Sequence, residues 1–508
     1  MDFIVRTWIS PASPFEVLPT VPTVPPTPDD LREHRAGVWL LTGVLTVGAL
    51  LRLYWAVHDD GMYWPDEVYQ SLEPAHRLVY GYGLVAWEFV EGARNWALPG
   101  LVAGVMGLAR LLGITDPAGY LSVTKGVFAL MGVACAWGSW RLARASGASP
   151  LAASGGAALL ALSAVPLYFS PRAMSENASA LPAVVGLALA LAPGASRRAV
   201  VTGASLLGLA VLLRLQNGIF CVGLLGVLAA RREWRRAGEA LGVLVLWAFL
   251  FGLLDRLTWG RWFHSAIVYL DFNLVQGKAA GWGTAPFGYY GRVLLRSMPE
   301  VAALTGALVL LALPRAPGLS VIAGAFFLLH ALQPHKELRF LVPLFPLLAA
   351  LAGVGLDSLF QLARGPRARM ATVGVVGMLA LVSGARAGAL TFGRVGQYEN
   401  SRPRDSAWDD MGPVTRLLEI AGRREDVCGL KVEAVHLAWT GGYSAFHRRV
   451  PLYPHFGPGR ESGLFSHVIT VPGAVRPDDV VAREGPWVLA RISQGGCIPD
   501  PGYSWRLP

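Results

Sequence analysis

From residue 36 to about residue 390 the chain alternates between long apolar runs and short polar breaks. A helix needs about 20 mostly apolar residues to cross a bilayer. Runs near that length fall at 36–57, 120–140, 150–169, 177–193, 199–213, 217–230, 238–257, 299–314, 319–333, 340–362 and 369–390. They predict about eleven membrane helices. The run at 97–114 is short and carries Arg110, so it predicts a helix lying in the interface. The runs show no internal repeat.

The polar breaks set the topology. Arg32 and Arg35 precede the first run, Arg141 and Arg144 close another, Arg197 and Arg198 a third, and "RREWRR" occupies 231–236. Basic residues of short loops stay cytoplasmic. A chain that starts inside and crosses an odd number of times ends outside. The breaks 58–95, 170–176, 258–298 and 333–339 then share the external face. Residues 1–35 are proline-rich with no long apolar core, which predicts no signal peptide but a disordered cytoplasmic tail. From 391 to 508 the composition turns to that of a soluble domain. "VCGLKVEAV", "FSHVITVP" and "WVLARI" read as strands and "MGPVTRLLEIAGR" as a helix. The expected organisation is a tail (1–35), a membrane domain (36–390) with an external loop at 58–95, and a small extracytoplasmic α/β domain (391–508).

Composition agrees with a membrane protein. Of 508 residues 53% are hydrophobic and 15% charged, against about 25% charged in soluble domains; mean hydropathy is +0.44. The net charge of +10 would suggest a nucleic-acid partner in a soluble protein. Here it sits in short loops, and no nucleic acid is expected. Of the four cysteines, Cys135 and Cys221 lie in apolar runs and read as core. Cys428 and Cys497 could pair in an oxidising compartment, and spacing alone leaves that open. No Cys/His metal pattern is present.

Two polar stretches carry candidate chemistry. "WPDEVYQSLEPAHRL" (64–78) brings Asp66 and Glu67 to the start of a helix that Pro65 would open. The acidic pair reads as capping, as a general base that takes a proton from an attacking hydroxyl, or as a metal pair. "QPHKELRFLVP" (333–343) concentrates His335, Lys336, Glu337 and Arg339 between apolar runs. One such cation would be ordinary snorkelling. The cluster, with a helix starting near 337, points to an anion-binding corner for phosphate. Arg172 and Glu176 in "PRAMSEN" stand four apart and suggest a local ion pair. Arg214 lies between apolar stretches, where a charge usually faces a cavity or partner. Residues 255–290 mix aromatics with Asp271, Asn273 and Lys278, as an interfacial belt would, although Asp271 does not fit one.

The same residues carry a family resemblance. "HKELRF" resembles the HKE-x-RF signature of the Alg9-like mannosyltransferases, GT-C membrane glycosyltransferases of glycosyltransferase family 22. "WPDEVYQSLEPAHRLVYGYGLVAWEF" is similar to their first-loop block, and "RNWALPGL", "DRLTWGRW", "DFN" and "GWGTAPFGYY" to further segments, in order, over roughly 36–390. Trp64, Ala285 and Leu338 depart from the family pattern.

The resemblance implies a polyprenyl-phosphate-sugar donor delivered from the bilayer lipids and a lipid-linked glycan or glycolipid acceptor. The expected reaction is inverting transfer of mannose on the extracytoplasmic face. Asp66 is the expected base, with Glu67 second or orienting. His335, Lys336 and Arg339, and less centrally Arg172 and Arg214, are the expected phosphate ligands, with Glu337 orienting the cations. Neither a metal nor a cofactor is required. A transporter or flippase of lipid-linked sugars would also need an intramembrane cationic site, but not the acidic first loop. The Ala/Gly/Arg-rich, short-looped style suggests a bacterial plasma membrane rather than the endoplasmic reticulum.

Overall fold

The computed structural model describes residues 28–59, 61–62, 64–362, 365–396, 403–409 and 411–507. The tail expected over 1–35 lies outside this set up to residue 27. Its last part is not a tail, because the first helix already begins at Pro28 and runs Pro28–His58. The apolar runs are helices: among them Pro117–Ala145, Ser175–Ala190, Arg197–Leu213, Gly218–Ala230, Trp234–Trp259, Pro299–Ala312, Pro317–Leu332, Phe345–Phe360 and Pro366–Ala385. Among the described residues, five helical segments are both long and apolar enough to cross a membrane. The others are shorter and lie packed among them.

Start signals explain several boundaries. Asp116, Ser149 and Ser196 cap the helices that follow by accepting from Gly119 N (2.8 Å), Ala152 N (3.3 Å) and Ala199 N (3.3 Å). Small residues then let backbones approach, as membrane helices require. A methyl group at Gly355 would run into the carbonyl of Leu308, so Phe345–Phe360 sits against Pro299–Ala312 only because that position is glycine.

The run 150–169, expected as one span, is two helices, Pro150–Leu162 and Ala164–Phe169, broken at Ser163. Arg52 of the first helix fills the break. It is 1% exposed and donates to Leu160 O (3.0 Å), Ala161 O and Ser170 Oγ (2.9 Å). A guanidinium thus satisfies carbonyls that the broken helix leaves open.

The segment 64–96 is folded rather than a loose loop. A short turn, Trp64–Glu67, passes through a wider turn, Val68–Leu72, into Glu73–Tyr80. Gly81 ends it at φ 84°, the left-handed stop that glycine tolerates. The expected interfacial helix is Ala97–Leu111. It buries Leu98, Val102 and Met106 against Leu72 and Ala75, and exposes Leu101, Leu108 and Leu111.

The C-terminal part holds a five-stranded mixed sheet: β1 (Leu430–Val432), β2 (Leu452–Tyr453), β3 (His467–Thr470), β4 (Val480–Glu484) and β5 (Trp487–Arg491), in the order β2-β1-β3-β5-β4. β1 pairs in parallel with β2 and β3, and β5 pairs antiparallel with β3 and β4. β1, β3 and β5 and the helix Gly412–Gly422 lie where the sequence places them; the short β2 and the half-exposed β4 were not anticipated. Cys428 and Cys497 form a disulfide with Cα atoms 5.6 Å apart. Cys135 and Cys221 are free and buried.

The sheet is not an independent appendage. Met62, Val68, Tyr69, Leu84 and Ala86 of the first loop share one hydrophobic cluster with Val414, Leu417, Leu430, Val432, Ile469 and Leu489. Glu73 accepts from Leu84 N (2.7 Å), Tyr443 N (3.0 Å) and Ser444 N (2.8 Å). Val85 exchanges hydrogen bonds with Trp505 O (2.7 Å) and Leu507 N (2.9 Å). Loop and sheet are therefore one packed body.

Arg52→Ala should lower the unfolding midpoint in detergent, because open carbonyls are left in an apolar interior at a cost of at least about 2 kcal/mol. An unchanged midpoint would mean that those carbonyls find other partners.

Candidate active site

Neighbours on a helical turn diverge by about 100°, and Asp66 and Glu67 take opposite directions. Glu67 is fully buried, accepts from Ala173 N (2.9 Å) and lies 3.6 Å from Arg172. Arg172 meets Asp59 at 2.8 Å and donates to Gly61 O (2.8 Å). Lys125 approaches the same Asp59 at 3.5 Å. This network is sealed under the loop. It corrects two expectations: Glu67 faces no cavity where it could act as a base, and Arg172 is committed to carboxylates away from any phosphate position. The i,i+4 pair of Arg172 with Glu176 does not form either. Arg172 precedes the helix, which starts at Ser175, and pairs with Asp59 and Glu67, whereas Glu176 pairs with Arg214 and Arg339.

Asp66 faces a cavity of about 360 Å³, and its side chain is 20% exposed. Arg339 Nη2 donates to Asp66 Oδ2. Arg339 also donates from Nε to Glu337 Oε2 (2.7 Å) and stands 3.5 Å from Glu176 Oε1. Glu176 in turn pairs with Arg214 at 2.7 Å. Asp66, Glu176, Arg214, Asn273, His335, Glu337 and Arg339 all line the cavity, so seven of the residues singled out in the sequence converge. Glu337 takes hydrogen bonds from both Nε and Nη2 of Arg339.

Lys336 is a correction. Its ammonium donates to Ala285 O (2.6 Å) and Gln333 O, and the side chain leaves the cavity. The expected helix at 337 is a tight turn, Leu338–Leu344, before the α-helix begins at Phe345. Lys336 and the hydrogen bond from Ala285 N to Pro334 O (3.0 Å) strap residues 283–285 to 334–336. His335 belongs to the strap and to the cavity at once: Nδ1 donates to Gly283 O (2.9 Å) and Nε2 faces Glu337 Oε1 (3.1 Å). Both partners are acceptors, so the imidazolium suits the site. Burial opposes the charge, but Glu337 and Gly283 O prevail and raise the His335 pKa. Burial likewise opposes ionisation of Glu337, and Arg339 with His335 holds it well below the usual carboxylate range.

The rest of the wall was not anticipated. Gln70 uses its amide to bridge two carboxylates, donating to Asp66 Oδ1 and to Glu88 Oε1 (3.0 Å). Burial, and then the charge on Asp66, push Glu88 up to about 7. Burial also raises Asp66, against the pull of Arg339. Arg94, Gln216 and Tyr269 complete the polar lining. Trp87, Phe272 and Trp282 stack in series, with ring centroids 4.7 Å and 5.4 Å apart, along one side. Ala438, Trp439 and Leu507 close the opposite wall from the C-terminal body. Asp271 leaves the cavity to accept from Gln276. Glu88 and Arg94 lie inside the stretches "VAWEF" and "RNW", the one signal in the sequence that could have found them. Among the described residues, no group of three or more His, Cys, Asp or Glu is placed to hold a metal ion.

A helical membrane bundle with a folded first loop and a cavity at its edge is the architecture of polytopic GT-C membrane enzymes. ArnT from Cupriavidus metallidurans bound to undecaprenyl phosphate superposes with a TM-score of 0.59 at 14% identity, over 91% of this chain and 99% of that one. The Archaeoglobus fulgidus oligosaccharyltransferase superposes at 0.51 with 14% identity, over 85% and 69%. At that identity the likeness is one of fold. The chain belongs to the Alg9-like mannosyltransferase family, whose model matches residues 44–400. It is 34% identical over 311 residues to GPI mannosyltransferase 3 of Yarrowia lipolytica, covering 60% of each chain. It is 29% identical over 362 residues to alpha-1,2-mannosyltransferase alg9 of Schizosaccharomyces pombe, covering 64% of this chain and 59% of that one. The chain thus spans about 60% of the length of these relatives. Both are eukaryotic proteins, so a bacterial origin finds no support among them.

Two outcomes follow from the cluster. Arg339→Ala strips the partner from Asp66, Glu337 and Glu176 and should destabilise the fold by about 3–5 kcal/mol; a denaturation midpoint equal to wild type would contradict the pairing. The raised His335 pKa means that the folded state binds the proton more tightly than the unfolded chain does. Its stabilisation is full below about pH 6.5 and is lost as pH rises through the folded value. Midpoints measured from pH 6 to 9 should fall more steeply for wild type than for His335→Ala, and parallel curves would refute this.

Proposed function

We propose that this protein is an inverting mannosyltransferase. It moves mannose from a polyprenyl-phosphate-mannose donor to a hydroxyl of a lipid-linked glycan or glycolipid acceptor, on the extracytoplasmic face. The observation that carries this reading is the meeting of Asp66 with Arg339, 273 residues apart in sequence, in one cavity. An acid–base group and a cationic group stand side by side on the cavity wall, where a sugar–phosphate bond would lie against both.

The acceptor oxygen attacks the anomeric carbon as the bond from that carbon to the phosphate oxygen breaks. The bonding pair leaves on the phosphate, and the hydroxyl proton goes to Asp66. Burial makes Asp66 more basic than a free carboxylate, against the pull of Arg339. Arg339, Arg214 and His335 offer positive charge to the departing phosphate; fixed charge placed where negative charge develops is commonly the largest catalytic contribution. The aromatic side of the cavity suits the flat faces of a sugar ring.

Family membership supports sugar transfer and lends nothing to a transporter. The disulfide supports the extracytoplasmic face, because such bonds persist in oxidising compartments. It sits in the body that supplies Ala438, Trp439 and Leu507 to the cavity.

With the full-length protein in detergent and labelled polyprenyl-phosphate-mannose, Asp66→Asn should cut kcat by about 10²–10⁴-fold, the range of general-base catalysis. The folding midpoint should stay near that of wild type. Transfer at the wild-type rate would remove Asp66 as the base. A wild-type protein that transfers no mannose to any glycolipid of a panel would overturn the assignment.

A further inference from the structure

The cations expected to hold phosphate are largely committed. Arg339 serves Asp66, Glu337 and Glu176; Arg214 serves Glu176 and Ser175 Oγ (3.2 Å); Lys336 serves backbone carbonyls. Arg94 is different. Its guanidinium lines the main cavity and a smaller chamber that opens from it past Arg214 and Gln216. Among the described residues it has no ion-pair partner, and its Nε is buried without a hydrogen-bond acceptor. Leaving such a donor unmet costs free energy.

Its position is fixed from several sides. Ala93 N donates to Glu88 O (2.7 Å), closing the preceding turn. Gly92 adopts φ 77°, and a side chain there would collide with His264. Arg94 O accepts from Trp259 Nε1 (3.1 Å), and the guanidinium lies 5.3 Å from the Tyr269 ring centroid. Most other donors around the chamber are spent: Asn95 Nδ2 on Leu212 O (2.8 Å), Ser265 on Asp255, and Gln216 on the Tyr269 hydroxyl, while Arg214, paired with Glu176, keeps its Nε without an acceptor. A guanidinium held in place with open donors, facing a cavity beside a second arginine, is the arrangement that recognises a phosphate.

We propose that Arg94 is the primary ligand of the lipid phosphate, with Arg214 beside it and Arg339 reaching the same phosphate from the Asp66 side of the cavity. The ligand class is the phosphate of a polyprenyl phosphate. This rests on the donor reading above, and the two fail separately in a binding measurement that needs no sugar and no acceptor.

The full-length protein is titrated with a polyprenyl monophosphate and with the matching neutral polyprenol, following intrinsic tryptophan fluorescence. Wild type should bind the phosphate form more tightly. Arg94→Gln should weaken phosphate-lipid binding by about 10-fold or more, leave polyprenol binding unchanged, and unfold at the wild-type midpoint. Arg94→Lys, which keeps the charge and loses the fork, should fall between. Wild-type affinity for the phosphate lipid in Arg94→Gln would overturn the assignment of Arg94 alone. Equal binding of both lipids by wild type would overturn the donor reading and this inference with it. Inorganic phosphate should not displace the lipid at equal concentration; displacement would make this a free-anion site and also overturn the lipid assignment.

Discussion

The ion pair between Arg339 and Asp66 is the constraint around which the site is arranged. One guanidinium meets three carboxylates supplied by three separate parts of the chain: Asp66 from the first loop, Glu176 from a helix start and Glu337 from the second polar corner. Such a charge cluster away from bulk water is tolerable only if each member is matched. Matching them draws the loop and the 333–343 corner to one place, and the cavity is what lies between. Glu176 extends the chain of charge to Arg214, so the wall is continuous rather than a set of local pairs.

A second network does a different job a few residues away. Asp59, Glu67, Lys125 and Arg172 neutralise one another beneath the loop, with no outlet to the cavity. It fixes the height of the loop over the helices. Adjacent residues in the sequence, Asp66 and Glu67, thereby belong to two separate systems, one facing substrate space and one facing the interior. The C-terminal sheet completes the arrangement by burying the outer side of the same loop, with Glu73 receiving three backbone N–H groups.

Much of the fold was legible in the sequence because bilayer-length apolar runs allow few other structures. The break at Ser163 was not legible, since it depends on Arg52, a residue one helix away that sits inside an apolar run. The site was legible where charge stood out against its surroundings, at 64–67 and 335–339. It failed where direction mattered: type and spacing do not say that Lys336 turns to Ala285 O or that Arg172 turns to Asp59. Arg94 and Glu88 were passed over because a single charge in an aromatic, polar loop looks ordinary until its neighbours are known. Gln70 was passed over for a related reason, being an uncharged residue whose role is to stand between two charged ones.

The order in which these contacts become available along the chain has a consequence for biogenesis. The Asp59–Glu67–Lys125–Arg172 network is complete in sequence at residue 172, whereas Asp66 waits for Arg339. At ~5–20 residues per second of synthesis, that wait is roughly 10–30 s. During that interval the first loop is already anchored by its own sealed network, while Asp66 still lacks Arg339 and encloses no cavity. The growing chain therefore carries a positioned loop long before it carries the enclosed pocket.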